Sequence, residues 1–252
     1  LKVFFLAQFV RFGEVRCVTS PQLFVWPGRS RSPMVAVDET VQSNASNQIA
    51  PLVEKLQSGR ARDRWTAADA LGRLGRLAAA GDGTAVPALL RCTEDEDDDV
   101  RCAAARALGH LGSETEVATL LRLLTDEDGG VRWGAAEGLG NLGSVASSSA
   151  AALKEALEDE EEDVRAASAQ SLGKLVKLQA IAAADVVSSL IEVLSDEEWS
   201  VRRSTVQALG RCGAHASDAV ATLRTVAERD RHPQVRKEAE NALNNILGTS
   251  QA

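Results

Sequence analysis

The chain has no tyrosine, and beyond residue 26 its only aromatic residues are Trp65, Trp133 and Trp199. A single globular core in a chain of 252 residues ordinarily uses Phe and Tyr as fillers. Small aliphatic residues suit thin layers of stacked helices instead. Cysteine is scarce as well. Cys17, Cys92, Cys102 and Cys212 form no CxxC or other close pair. That spacing argues against a zinc site and a disulfide framework, and for a reducing, cytoplasmic setting. The three histidines, His110, His215 and His232, show no metal-ligand spacing, so no metal is expected. Basic charge is in deficit. Residues 1–33 hold five basic side chains (Lys2, Arg11, Arg16, Arg29, Arg31) and one acid, Glu14, so residues 34–252 carry 23 basic against 35 acidic. A nucleic-acid groove requires a basic surface, and no such partner is expected.

No transmembrane segment is expected either. The apolar stretch from Leu1 to Phe12 is interrupted by Lys2, Gln8 and Arg11 and is too short to span a bilayer. All five Phe residues fall between positions 4 and 24, and the only Met is Met34. Residues 1–33 therefore read as foreign to the rest. Two readings are open: an organellar targeting peptide, plastid or other, and upstream or truncated neighbouring sequence. Residues 34–46 read as a polar linker, and 249–252 as a tail.

What is present is a repeat. Val100-Arg101 leads to Ala107-Leu108-Gly109, and Val201-Arg202 to Ala208-Leu209-Gly210. Looser copies start at Val131, Val164 and Val235, and a degenerate one at Asp63. The spacings of 37, 31, 33, 37 and 34 residues fit two short helices and two turns. The next position is always Arg: Arg64, Arg101, Arg132, Arg165, Arg202 and Arg236. Eight after the anchor is always Leu. Offsets 0, 4, 7, 8 and 11 share one helical face and are mostly small or aliphatic, which predicts an amphipathic helix B of about four turns. Glycines such as Gly72, Gly109 and Gly140 near its end suit close packing and a C-terminal cap. Five residues before the anchor stands Asp95, Asp126, Asp159, Asp196 or Asp230, with Ser58 in the first copy. A second apolar-periodic stretch precedes it, with Pro51 and Pro87 near the starts of two such stretches. Each unit is thus helix A, an acidic turn, then helix B.

The pattern L-x-D-x-(x)-x-x-V-R-x-x-A-x-x-A-L-G-x-L-G resembles the HEAT-repeat superfamily. More narrowly, it is similar to the short HEAT-like repeats of phycobilisome (bilin) lyases. The resemblance covers about residues 47–248 and implies an all-α, right-handed solenoid of about six HEAT-like two-helix repeats. The end copies carry polar residues where the middle ones are small, as at Glu238, Asn244 and Asn245. These read as caps, with the C-terminal end of the six-repeat solenoid expected to be complete. Iron-dependent deoxyhypusine hydroxylases also use such repeats, with His-Glu ligand pairs. No His here is followed by Glu, which speaks against that activity.

Three features carry functional expectations. The six Arg and five Asp residues suit a structural ladder, each Arg bonding the Asp of its own or the neighbouring turn and that Asp also capping helix B. The rival reading is a charged track. The dense acidic turns, such as 94–99 and 158–163, stack as a ridge. They suit either solvated turns at positive helix ends or a dock for basic segments of a partner. The resemblance places helix B on the concave face, so the stripe at offsets 2, 6 and 10 becomes the groove. We single out Trp65, Asp69, Arg106, His110, Trp133, Glu137, Asn141, Gln170, Lys174, Arg203, Arg211 and Lys237 as partner-binding. Trp65 and Trp133 stand out as anchors, unless each indole lies flat on neighbouring side chains. Cys102 reads as a small residue filling space; beside Arg101 it is also the cysteine to test for reactivity, because a nearby cation lowers a thiol pKa. The expectation is a non-catalytic scaffold or adaptor without cofactor, holding a partner helix or extended peptide. The alternative implied by the resemblance is a bilin lyase-like subunit or chromophore-handling chaperone.

Overall fold

A computed structural model describes residues 39–79, 83–112 and 115–248, and every regular element among them is helical. The chain divides into two units, residues 1–36 and 37–252. The segment 1–33 and the tail 249–252 lie outside the described residues.

The second unit is a right-handed α-solenoid of helix pairs. The pairs run α1 (Glu39–Lys55) with α2 (Ala61–Leu74), then, after the single-turn α3 (Arg76–Ala79), α4 (Ala85–Cys92) with α5 (Asp98–Leu111). Next come α6 (Thr115–Leu123) with α7 (Gly129–Leu142), α8 (Ala150–Glu155) with α9 (Glu162–Lys177), α10 (Ala184–Val193) with α11 (Trp199–Cys212), and α12 (Val220–Arg229) with α13 (Pro233–Leu247). Two details differ from expectation. The segment read as a linker is helical from Glu39 onward, because no Gly or Pro interrupts it before Pro51. Pro51 consequently lies inside α1 rather than near its start, whereas Pro87 falls in the first turn of α4.

The repeat positions build the core. Val100, Val131, Val164, Val201 and Val235 are completely buried, as are Leu71, Leu108, Leu139, Leu172 and Leu209. Burying each such side chain contributes roughly 1.5–3 kcal/mol. Leu243, with no further B helix against it among the described residues, is only half-buried. Successive B helices (α2, α5, α7, α9, α11, α13) pack along their length, whereas successive A helices meet at few residues. Two layers joined at unequal spacing are expected to curve toward the closer one, which makes helix B the expected inner face. Missing side chains set that closeness: a methyl on Gly109 would lie 2.3 Å from Gly138 Cα.

The turns are joined by one repeated device. Arg64 donates through Nε and Nη2 to both oxygens of Asp95, at 2.7 and 2.6 Å. Arg101 does the same to Asp126, Arg132 to Asp159, Arg165 to Asp196 and Arg202 to Asp230. Each fork thus reaches the following unit's turn. The third nitrogen, Nη1, turns back to the carbonyl of its own turn, as from Arg132 to Asp126 O at 3.0 Å. Arg236 makes this backward bond to Asp230 O at 2.7 Å. Each Asp also accepts the amide two residues on, as from Glu161 to Asp159 at 2.9 Å. The Asp therefore shapes the turn and does not cap helix B. Capping falls two residues later, to Asp97 and Asp128, which accept from Val100 and Val131. The pairs are withdrawn from solvent, down to 6% exposure on both sides of Arg202–Asp230.

Burial alone would raise the carboxyls of Asp95, Asp159 and Asp230. The arginine hydrogen bonds, then the turn amide and the arginine charges, outweigh it and hold all three below the usual range. A depressed folded-state pKa contributes stability that is complete above the unfolded value, about 4. That stability is lost as pH falls through the folded value. Asp159→Asn should therefore cost on the order of 2–4 kcal/mol at pH 7 and show a shallower loss of urea midpoint below pH ~4 than the unaltered chain. Parallel midpoint-against-pH curves would exclude the ladder as an acid-sensitive element. Gly109→Ala should destabilise by about 1–3 kcal/mol through overpacking. Gly59→Ala, where a methyl meets nothing within 4 Å, should change little. Equal thermal midpoints for the two variants would refute the tight α5–α7 contact.

Candidate functional site

Offsets 2, 6 and 10 of helix B line three hollows along the inner face. The first, about 550 Å³, lies between α2 and α5 and is walled by Trp65, Asp69, Arg73, Arg106 and His110. The second, about 280 Å³, is walled by Trp133, Glu137, Gln170, Lys174 and Arg203. The third, about 240 Å³, includes Gln207, Arg211, Glu238 and Asn245. Lys237 is exposed and lines none of these three.

Much of the stripe is braced between neighbouring helices. Arg106 Nε donates to Glu137 at 2.9 Å while its guanidinium lies 5.0 Å from the centre of the Trp133 ring. Gln170 Nε2 donates to Ser204 at 3.0 Å, and Lys174 Nζ to Asn141 Oδ1 at 2.9 Å. Gln207 Nε2 donates to Glu238 at 3.0 Å, and Arg203 lies 3.8 Å from the same carboxylate. Asp69 pairs within its own helix with Arg73 at 2.8 Å. The two indoles therefore differ. Trp133 is half-buried under Arg106, whereas Trp65 is 43% exposed and borders a further hollow with Arg62, Asp97 and Asp99. His110 is exposed in the first hollow.

A third indole completes the face. Trp199 lines the second hollow beside Trp133 and stacks on His232, with ring centres 4.1 Å apart. It sits two residues before its anchor, and offset −2 continues the same four-residue stripe as 2, 6 and 10. That arithmetic is the signal by which the sequence could have shown it.

The sequence pattern of HEAT repeats matches residues 49–140, 86–173 and 150–244, more than half of the chain. The chain belongs to the HEAT-repeat family. Among curated proteins, none matches this chain. Among solved structures it is similar to an engineered protein, with 24% identity and a TM-score of 0.60 over 80% of this chain and 97% of the other. It is also similar to a computationally designed armadillo repeat protein for modular peptide recognition, with 17% identity and a TM-score of 0.51 over 78% and 99% of the two chains. A looser likeness, with 20% identity and a TM-score of 0.42 over 93% and 99%, is to the CpcE–CpcF complex of phycocyanin lyase from a Nostoc species.

The acidic edge of the HEAT array divides into two populations. The ladder aspartates are nearly withdrawn from water, whereas Glu96 and Glu160, within 3.8 and 3.2 Å of Arg64 and Arg132, are exposed to solvent. The fully exposed Glu162 has its carboxyl raised, chiefly by the charge of Glu198 across the unit boundary. Among the described residues, Asp97, Asp98 and Asp99 have the mutual proximity to hold a cation, and Asp97 already serves as a helix cap. No helix among the described residues is long and apolar enough to cross a membrane.

Cys102 fits the space-filling reading and not the reactive one. Burial pushes its thiol up to about 11, Arg106 only partly opposes this, and Asp128, Asp99 and Glu137 add to the rise. The fork of Arg101, its neighbour in sequence, is spent on Asp126. Cys102 is thus the reverse of an activated thiol. Iodoacetamide at pH 8 should label it roughly a hundredfold more slowly than an unperturbed thiol, following the loss of thiolate. Labelling at the rate of free cysteine, read by peptide mass spectrometry, would contradict the burial.

Proposed function

We infer that this HEAT array is a non-catalytic scaffold that holds a partner helix or extended peptide along the inner, helix B face. The observation that carries the reading is the row of hollows on that face, two of them bordered by tryptophan. Large, partly exposed aromatics on a rigid surface are the usual anchors of partner binding. The ladder supports the reading by supplying the rigidity, since a preformed surface loses less entropy on binding. Peptide recognition on a designed armadillo scaffold supports the architecture as suited to the task. The lyase-like reading, by contrast, has no residue on this face to support it.

Spacing gives the partner's dimensions. Trp65 and Trp133 lie two units apart, about 16–20 Å at ordinary helix packing distances. Some five or six residues of extended chain span that interval at 3.3 Å each. A helix spans it in about three turns.

A displayed library of random peptides, panned on the full chain, tests this. Selected peptides should lose at least tenfold in affinity on Trp65→Ala with Trp133→Ala, a modest fraction of what two anchors contribute. They should be unaffected by Glu192→Ala on α10, an exposed site on the A layer. Binding that survives both tryptophan substitutions would overturn the site.

A further inference from the structure

The far half of the inner face carries a surplus of donors. At offset 10, Asn141, Lys174 and Arg211 follow one another on α7, α9 and α11. Lys174 Nζ donates to Asn141 Oδ1. An ammonium cannot accept, so this bond fixes the orientation of the amide. Asn141 Nδ2 is then left buried with no acceptor among the described residues. Arg211 Nη1 is buried and unbonded in the same way. It lies against α9 where Gly173 leaves room, 3.3 Å from the position a methyl there would take.

The charges leave the same surplus. Burial lowers the pKa of Lys174, Arg211 lowers it further, and Glu137 is the acid that opposes them. Glu137 already accepts from Arg106, and Glu238 from Gln207 with Arg203 close by. No carboxylate among the described residues pairs with Lys174 or Arg211. Cations near helix C-termini are favoured by the helix dipole, but that preference needs no buried N–H without an acceptor. Donors arranged this way match a carboxylate, which accepts several hydrogen bonds and brings the missing charge.

We propose that Asn141, Lys174 and Arg211 form an acceptor-binding row for the carboxylate side chains of an acidic peptide segment. The proposal deepens the peptide-binding reading above, on which it rests, by giving the partner a chemistry. The segment is acidic where it crosses α7 to α11 and apolar nearer Trp65. Its sign is opposite to that expected of a partner for the outer acidic edge.

The chain's net charge of −8 makes the test sharp. Bulk attraction favours a cationic probe, so binding of an anionic one must come from a local site. Fluorescence anisotropy of the full chain would compare labelled dodecaglutamate and dodecalysine at low salt, with inorganic phosphate as competitor. Dodecaglutamate should bind, and Lys174→Met or Arg211→Gln should weaken it at least tenfold while Lys237→Gln does not. Circular dichroism of the variants should match the unaltered chain. Glu192→Ala on the A layer should leave dodecaglutamate binding within about threefold. Selected peptides that still need the indoles while dodecaglutamate fails to bind would sink this proposal and leave the groove reading standing. Failure to bind dodecaglutamate overturns the proposal, as does binding indifferent to Lys174 and Arg211. Displacement by phosphate at low millimolar concentration also overturns it, because the site would then be one for small anions.

Discussion

Everything in this solenoid depends on a guanidinium that bonds forward and backward at once. The fork of each arginine holds the next unit's aspartate, and its remaining nitrogen holds its own turn. Both partners are nearly removed from water, so the geometry has little latitude: a buried charge that loses its partner is costly. The five forks from Arg64 to Arg202 set a common pitch for units whose lengths vary between 31 and 37 residues. The variation is taken up elsewhere: in the single-turn α3, in the 3-10 segments Gly143–Ser149 and Gly213–Ala219, and, between Val164 and Val201, in the longer α9 and the turn at 178–183. The inner face stays in register as a result.

Tight packing of the B layer follows from that register. Gly109 over Gly138 brings backbones together, and the larger side chains are displaced onto the groove floor. There they bond across unit boundaries, as Arg106 does to Glu137. The face is thus an ordered lattice of polar contacts broken at a few places: an indole open to solvent at Trp65, and donors without acceptors at Asn141 and Arg211. Recognition is expected at those breaks, because a contact already made inside the protein has little to offer a partner.

The fold was legible because its signals repeat. Buried offsets recur six times, and a four-turn amphipathic helix admits few arrangements. The pairing of Arg with Asp was legible as co-recurrence, but its direction was not. Ser58 in the first copy holds the clue: the Asp is dispensable where, among the described residues, no arginine fork reaches the turn. Trp199 was hidden because offset −2 lies in what reads as an acidic turn. The reactive alternative for Cys102 rested on its sequence neighbour Arg101, which points along the ladder, while the groups that govern the thiol come from packed helices. The start of α1 was missed because Ser, Asn and Gln resemble a loop by composition but do not forbid a helix.

The ladder also has polarity. Each middle unit presents one fork at its leading side and one carboxylate at its trailing side, as a monomer presents two unlike ends. Removing or duplicating a whole unit would rejoin a fork to a carboxylate and strand no charge. An array linked in this way can change length by whole units during gene duplication, while a break within a unit leaves one ion buried alone.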